Sequence, residues 1–128
     1  MRILLDSHAV LWYVDQDQML SGTAHAAITD PANDLLVSAA TIWELATKAA
    51  IGKLSLSQPY RLWMNKAMSD LRASLLPVSI DYADAQAGLP FHHRDPFDRL
   101  IIAQSLIEGI SVVSADGQFD AYGVNRVW

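Results

Sequence analysis

Residues 94–114 read RDPFDRLIIAQSLIEGISVVS, a stretch that predicts a capped helix followed at once by a buried strand. Asp95 is the expected helix cap, a proline occupies the first helical position, and Gly109 comes just past the end. The predicted helix is therefore Pro96–Glu108, and the apolar run Ile110–Ser114 is the predicted strand. A helix that leads directly into an apolar strand is the repeating unit of a parallel sheet.

The same alternation extends over the rest of the chain. Further strands are predicted at Arg2–Leu5, Leu35–Ser38, Leu75–Ile80 and, at the sheet edge, Val124–Trp128. Further helices are predicted at His8–Val14, Ser21–Ile28, Ala39–Ala50, Ser57–Arg72, a short segment capped by Asp81 and ending near Gly88, and a turn or short helix at Asp116–Tyr122. The pattern predicts an α/β fold in which helices flank both faces of a central, mainly parallel sheet.

The composition bounds the class of protein. The chain has 128 residues, of which 52% are apolar and 18% charged, so we expect a single domain over residues 1–128. The absence of cysteine excludes a disulfide framework, a thiolate zinc site and a cysteine nucleophile. No apolar stretch approaches the length of a membrane span, and no signal peptide is apparent, so the expected location is cytoplasmic.

The charge balance is acidic. Fourteen acids oppose nine bases, giving a net charge of −5, which argues against a protein that coats nucleic acid through a basic stripe. Twelve of the acids are aspartates, whose short side chains favour caps, turns and metal sites over solvated helix faces.

Four carboxylates are candidates for one site. Asp6 follows the first strand, Glu44 lies on the helix after the second, Asp98 is in the first turn of the Pro96–Glu108 helix, and Asp116 follows the fourth strand. Strand ends and helix starts share one edge of a parallel sheet, where ligands bind. We therefore expect these side chains to converge.

Each candidate also has an ordinary structural explanation. Asp6 is a possible helix cap, Asp98 a residue favoured by the helix dipole, and Asp116 a turn former. Glu44 and Lys48 have the i,i+4 spacing of an exposed ion pair. The case for a site lies in the combination, because a group of like charges needs a compensating cation. Carboxylate oxygens suit Mg²⁺ or Mn²⁺, which can activate water at a phosphodiester.

The residues resemble a known family. The segments MRILLDSHAVLW (1–12), SAATIWELATKAAIGKL (38–54), HHRDPFDRLIIAQSLIEGISVVSADGQFDAYGV (92–124) and VNRVW (124–128) are similar to the PIN-domain nucleases, and more narrowly to the VapC-type toxins of type II toxin–antitoxin pairs. The similarity covers essentially the whole chain, and RDPFDRLIIAQ is its most specific part.

The resemblance implies a PIN-like fold and a Mg²⁺-dependent endoribonuclease, with Mn²⁺ possible, that hydrolyses RNA phosphodiesters. It implies metal and catalytic roles for Asp6, Glu44, Asp98 and Asp116, with Asp120 as the substitute if Asp116 points away. It places the Ser114 hydroxyl near the metal. It also implies a cognate antitoxin protein and a homodimer as partners.

Several other residues are open to more than one interpretation. Four bases near the site in sequence are candidate contacts for RNA phosphates: Lys48, Lys53, Arg94 and Arg99. The neighbouring His92 and His93 point in different directions in an extended chain, so joint metal ligation is not expected. Trp12 and Tyr13 are candidates for a dimer or antitoxin surface.

Other function classes fit the sequence less well. A phosphoaspartyl phosphatase needs a second aspartate where this chain has His8, and a receiver module needs an acidic pair and a late lysine that are missing. A dinucleotide-binding fold needs a glycine-rich first turn, which Asp6–Ala9 is not. The alternative that stays open is a catalytically silent PIN-like module that binds RNA or an antitoxin.

Overall fold

The computed structural model describes residues 1–128 and contains five strands and seven helices. The strands are β1 (Arg2–Leu5), β2 (Asp34–Ser38), β3 (Ser74–Leu76), β4 (Ser111–Val113) and β5 (Arg126–Val127). The helices are α1 (Ser7–Val14), α2 (Gly22–Thr29), α3 (Ala39–Ala50), α4 (Tyr60–Leu71), α5 (Ile80–Ala87), α6 (Pro96–Glu108) and a 3₁₀ helix over Gly117–Tyr122. None of these helices combines the length and apolar character needed to span a membrane.

All five strands form one parallel sheet in the order β3-β2-β1-β4-β5. The chain builds outward from β1 through β2 to β3, then crosses to the other side of β1 to add β4 and β5. The predicted α/β fold is confirmed. Strands are added on one side of β1 up to β3 and on its other side from β4 onward. This switch leaves a crevice between β1 and β4, at the sheet edge where α/β proteins bind ligands.

The core lies on both faces of the sheet because side chains alternate along each strand. Ile3 and Leu5 of β1 pack in an apolar cluster with residues of α1, α2, α3 and α4. Leu4, between them, faces the opposite side and packs in a second cluster with Ile101 and Ile102 of α6. Helices therefore cover both faces of the sheet, as predicted.

The start and the end of α6 are formed by the residues that the sequence predicts. The Asp95 carboxylate accepts hydrogen bonds from the backbone N–H groups of Phe97 (2.8 Å) and Asp98 (3.2 Å). Gly109 ends the helix with φ 64°, a left-handed conformation that glycine adopts without strain. These signals fix the start of α6 and place Asp98 in its first turn.

The fourth helix is shorter than predicted. It begins at Tyr60 rather than Ser57, and Pro59 occupies the cap position without a side-chain cap bond. A proline disfavours helical backbone in the residue before it, so the helix does not extend back to Ser57. At the other end Arg72 adopts a left-handed conformation (φ 52°) and ends the helix at Leu71.

The third strand and the fifth helix also differ from the predicted bounds. The strand ends at Leu76 rather than Ile80, because Pro77 has no N–H to donate to a neighbouring strand. Ile80 instead begins α5. Ser79, not Asp81, caps that helix by accepting a hydrogen bond from the Tyr82 N–H at 3.4 Å.

Candidate metal centre

The crevice between β1 and β4 brings side chains from remote parts of the chain to one sheet edge. Asp6 follows the last residue of β1, and Ser114 follows the last residue of β4. The Asp6 backbone N–H donates to the Val113 carbonyl at 3.2 Å, which continues the pairing of the two strands past their ends. The first turn of α6 reaches this edge because the helix precedes β4 and runs back along the sheet.

Asp6 both caps a helix and lies in the cluster. Its carboxylate accepts the Ala9 N–H at 2.8 Å and is only 4% exposed. Burial raises the pKa of Asp6 above its ordinary value, opposed by the hydrogen bonds from Ser114 and Ala9 and reinforced by the charge of Glu44. The two interpretations of Asp6, cap and site residue, are therefore compatible.

Asp98 lies at the centre of the acidic cluster. Its pKa is raised to about 8, first by burial and then by the charges of Asp95, Glu44, Asp6 and Asp116. The cap of the same helix and three acids from remote parts of the chain thus act on this carboxyl group at once. Asp98, Asp116 and His93 each offer a ligand atom within 4.8 Å of the others, whereas Asp6 and Glu44 act on Asp98 through their charge.

Glu44 forms the predicted pair with Lys48, with 2.5 Å between Oε2 and Nζ, but the pair is not an exposed one. Glu44 is 2% exposed, and its other oxygen, Oε1, is buried without a hydrogen-bond partner in the protein. Burial lowers the pKa of Lys48, but the pair with Glu44 and the charges of Asp95 and Asp98 outweigh it and raise the pKa. The Lys48 ammonium group therefore already faces the cluster, whereas Oε1 of Glu44 has no partner in the protein.

Asp116 lies in the cluster, whereas Asp120 does not. The Asp116 carboxylate accepts the Gln118 N–H at 2.9 Å through Oδ1 and faces His93 Nε2 at 2.7 Å through Oδ2. Asp120 instead pairs with Arg126 at 2.9 and 3.0 Å, and that guanidinium lowers its pKa. The substitute role considered for Asp120 is therefore not needed.

His93 is a member of the cluster that the sequence did not single out. Its Nε2 lies 2.7 Å from Asp116 Oδ2 and 3.2 Å from Asp98 Oδ2. The neighbouring His92 is exposed and packs its ring against Tyr122, so the two histidines do diverge as expected. Its position in the sequence could have indicated this role, because a histidine two residues before the α6 cap lies close to the start of that helix.

The donor set suits a hard divalent cation. It offers carboxylate oxygens, the imidazole of His93 and no sulfur, and carboxylate oxygens are the ligands that Mg²⁺ and Mn²⁺ prefer. Burial first, and the neighbouring carboxylates second, raise the pKa of Asp6 and of Asp98, so both factors oppose their ionisation.

The family model for the PIN domain matches residues 3–125. The chain belongs to the PIN domain family. It is 33% identical over 115 residues to Ribonuclease VapC22 of Mycobacterium tuberculosis, a match that covers 89% of this chain and 86% of the relative. The predicted family is confirmed.

Solved PIN-domain structures share the fold at low sequence identity. The chain matches a crystal structure of VapBC2 from Rickettsia felis bound to a DNA fragment from its promoter, with a TM-score of 0.72, 12% identity, and coverage of 98% of this chain and 97% of that one. It matches VapBC-5 from Mycobacterium tuberculosis with a TM-score of 0.64, 18% identity, and coverage of 98% and 97%. These likenesses show the fold.

The basic residues near the PIN-domain cluster do not have equal access to a ligand. Arg94 and Lys53 are exposed, and Lys48 is paired with Glu44. Arg99 is 2% exposed, and all of its bonds go to groups in residues 86–93, so the prediction that it contacts RNA phosphates is wrong. A buried guanidinium whose N–H groups are occupied has none to offer a ligand.

A cavity of this PIN domain lies away from the carboxylates. It has a volume of about 780 Å³ and is lined by residues of α1, α2 and α4 and the connection between the first two, including Trp12, Tyr13, His25 and Lys66. The cavity contains none of the four site carboxylates. It is a second surface, distinct from the acidic centre.

Proposed function

We propose that this PIN domain is a metal-dependent endoribonuclease and the toxin of a type II toxin–antitoxin pair. The observation that carries the proposal is the acidic cluster around Asp98, where the charges of Glu44, Asp6 and Asp116 act on one largely buried carboxyl group. The relative named Ribonuclease VapC22 supports the choice of reaction. Mg²⁺ is the proposed ion, with Mn²⁺ as the alternative, because both prefer oxygen ligands.

The residues of the cluster have distinct tasks in this proposal. Asp6, Glu44 and Asp98 would hold the ion, with Asp116 at its margin. A bound divalent cation would supply positive charge at the scissile phosphate and lower the pKa of coordinated water. Lys48 pairs with Glu44 and places a positive charge beside it, and the hydrogen bond with Ser114 lowers the pKa of Asp6. No side-chain nucleophile is required.

Cleavage of single-stranded RNA by the purified protein tests the proposal. We expect cleavage with Mg²⁺ or Mn²⁺, its loss with a chelator, and a reduction of at least about 100-fold in Asp6→Asn and Asp98→Asn, because each removes a charged ligand. Asp81→Asn is the matched control, since it makes the same change at an exposed position in the first turn of α5.

Two outcomes would contradict the nuclease proposal. Cleavage at the wild-type rate by Asp6→Asn or Asp98→Asn would show that the carboxylates do not carry the reaction. Metal binding without cleavage of any RNA would favour the alternative, a catalytically silent module that binds RNA or an antitoxin. The cytoplasmic location expected from the sequence stays a prediction.

We further propose a cognate antitoxin and a homodimer as partners. The solved neighbours include VapBC-5, described as a member of a family of toxin–antitoxin systems. The surface we assign to the antitoxin is the α1–α4 cavity, where Trp12 and Tyr13 are partly exposed. Co-purification with the product of a short neighbouring reading frame, weakened by Trp12→Ala, would support it. Sedimentation of the isolated chain as a monomer would contradict the homodimer.

A further inference from the structure

The His93 side chain is built into the acidic centre rather than placed at its surface. The residue is 9% exposed, and its ring packs edge-on against Phe119 with 6.0 Å between ring centroids. Nε2 faces Asp116 Oδ2 at 2.7 Å and Asp98 Oδ2 at 3.2 Å. One ring nitrogen therefore lies between two carboxylates that come from different elements.

The other ring nitrogen determines which tautomer is present. Nδ1 lies 3.2 Å from the backbone nitrogen of Asp95, whose N–H can only donate. Nδ1 must therefore be the acceptor, and a neutral imidazole that accepts at Nδ1 carries its proton on Nε2. The nitrogen that faces the carboxylates is thus a donor. A metal ligand at that position would need a free lone pair on Nε2, which this tautomer does not have.

The backbone of His93 is held on both sides. Its N–H donates to the Tyr122 hydroxyl at 2.8 Å, and its carbonyl accepts from Arg99 at 3.3 Å. The Tyr122 hydroxyl in turn donates to the Pro90 carbonyl at 2.7 Å. These contacts fix the position of the ring, because the loop before α6 cannot rotate without breaking several hydrogen bonds.

The two oxygens of Asp116 are both engaged in the fold. Oδ1 caps the 3₁₀ helix through the Gln118 N–H, and Oδ2 faces the His93 donor. Glu44 differs, because its Oε1 is buried and has no partner. Of these two carboxylates, only Glu44 therefore has an oxygen without a partner in the protein.

We propose that His93 is a positioning residue, which donates through Nε2 to Asp116 and Asp98 and orients them without itself binding the metal. The inference rests on the proposed function, since it describes how the metal centre is organised. In this arrangement His93 holds Asp116, and Asp116 supports the site without binding the ion. Asp6, Glu44 and Asp98 are then the direct ligands.

Nitrogen chemical shifts of the wild-type protein test the tautomer. Long-range ¹H–¹⁵N correlation spectra at neutral pH should show His93 protonated at Nε2 and unprotonated at Nδ1. The pattern should persist when Mg²⁺ is added, because the ion does not displace the proton. A change to the Nδ1-protonated form on addition of Mg²⁺ would identify His93 as a ligand and overturn the proposal.

Substitutions at the same position test the orienting role. His93→Phe keeps a planar ring without the donor, and we expect Mg²⁺ affinity measured by calorimetry to fall about tenfold. His93→Gln keeps an N–H donor near the position of Nε2 and should remain within about threefold of the wild type. His92→Phe is the matched control, because that ring is exposed and should leave the affinity unchanged.

The outcomes separate this inference from the function on which it rests. Mg²⁺ binding that is equal in wild type and His93→Phe would overturn the positioning role while leaving the nuclease proposal intact. No Mg²⁺ binding by the wild type would overturn the metal-dependent function and the inference together. If His93→Phe does not fold, the proposal is still overturned by wild-type spectra that show Nδ1 protonated, or by a tenfold loss of Mg²⁺ affinity in His93→Gln.

Discussion

Asp98 shows how the acidic centre opposes folding when no cation is bound. Its pKa is raised to about 8 by burial and by the surrounding carboxylates. A carboxyl group that binds its proton more tightly in the folded state favours folding while it is protonated. That contribution is complete below the ordinary value of 3.8 and is lost as the pH rises toward about 8.

The first prediction follows from this linkage. In the presence of a chelator, Asp98→Asn should be more stable than the wild type at pH 8 by about 2 kcal/mol, because the amide never ionises. The difference should shrink as the pH falls toward 4. Denaturant unfolding at a series of pH values measures both. Parallel curves for the two proteins would contradict the shifted pKa, and Asp81→Asn controls for the loss of one charge.

Arg99 has a structural task that its exposed neighbour Arg94 lacks. The guanidinium donates to the Gln86 side chain and to the carbonyls of residues 86, 89, 90 and 93, and it lies 4.2 Å from the centre of the Phe91 ring. One side chain thus ties the end of α5 and the following loop to α6. Because these acceptors are partly buried, removal of the donor would leave several of them unpaired.

The second prediction compares the two arginines. Arg99→Met should lower the free energy of unfolding by about 3 kcal/mol, the usual range for a broken buried hydrogen-bond network. Arg94→Met should change it by less than about 0.5 kcal/mol, as for an exposed site. Equal effects in chemical denaturation would show that the Arg99 contacts contribute little to stability.

At the level of elements, the N-terminus of α6 couples helix formation to the site. The Asp95 carboxylate caps the helix by accepting from Phe97 and Asp98, and its charge also raises the pKa of Asp98. The cap therefore stabilises the helix and strengthens the electrostatic need for a cation. A neutral cap would retain the first effect and remove the second.

The third prediction tests the capping effect of Asp95 on the stability of the protein. Asp95→Ala should destabilise the protein by about 1 kcal/mol, because the orphan N–H groups lose their acceptor. Asp95→Asn retains the capping oxygen, and it should lower the stability by only a small fraction of the loss expected for Asp95→Ala. Thermal unfolding measures the difference, and an alanine variant as stable as the asparagine variant would argue against the cap.

For the whole molecule, metal binding and folding should be linked. The site is assembled from β1, α3, α6 and the end of β4, so only the folded chain presents its carboxylates together. An ion that binds the folded state alone stabilises it by about 2.7 kcal/mol at a free concentration of 100 times its dissociation constant. The global stability of the chain thus reports on the local site.

The fourth prediction uses this linkage. Mg²⁺ or Mn²⁺ should raise the Tm of the wild type in proportion to the logarithm of its concentration, at constant ionic strength. Asp6→Asn should show little of this shift, whereas Asp81→Asn should show all of it. A Tm that is the same with the metal and with a chelator would speak against a metal centre.

Much of the fold was predictable because its signals are local. The helices Ala39–Ala50 and Pro96–Glu108 have the predicted bounds, and α6 has the predicted cap and terminal glycine. The predictions were wrong where two local signals competed. Ser57 was a possible cap, but Pro59 restricts the residue before it, and Pro77 ended the third strand early.

The candidate site was predictable only in part. Asp6, Glu44 and Asp98 were placed at one sheet edge by strand order and helix direction, which the α/β pattern implies. His93 was missed and Arg99 was assigned the wrong environment, because a side chain's partners depend on packing against residues distant in the chain. Neither the bond from Asp95 to Nδ1 nor the carbonyls around Arg99 leave a pattern in the sequence.

By itself, the sequence determined the alternation of strands and helices, the caps, and the acids that follow the strands, since these depend on neighbours a few residues apart. The tertiary structure alone decided that Glu44 keeps an unpaired buried oxygen, that His93 Nε2 faces Asp116, and that Arg99 is enclosed. The reason is that hydrogen bonding and burial depend on distances between elements, which are set when the sheet assembles and the helices pack on it.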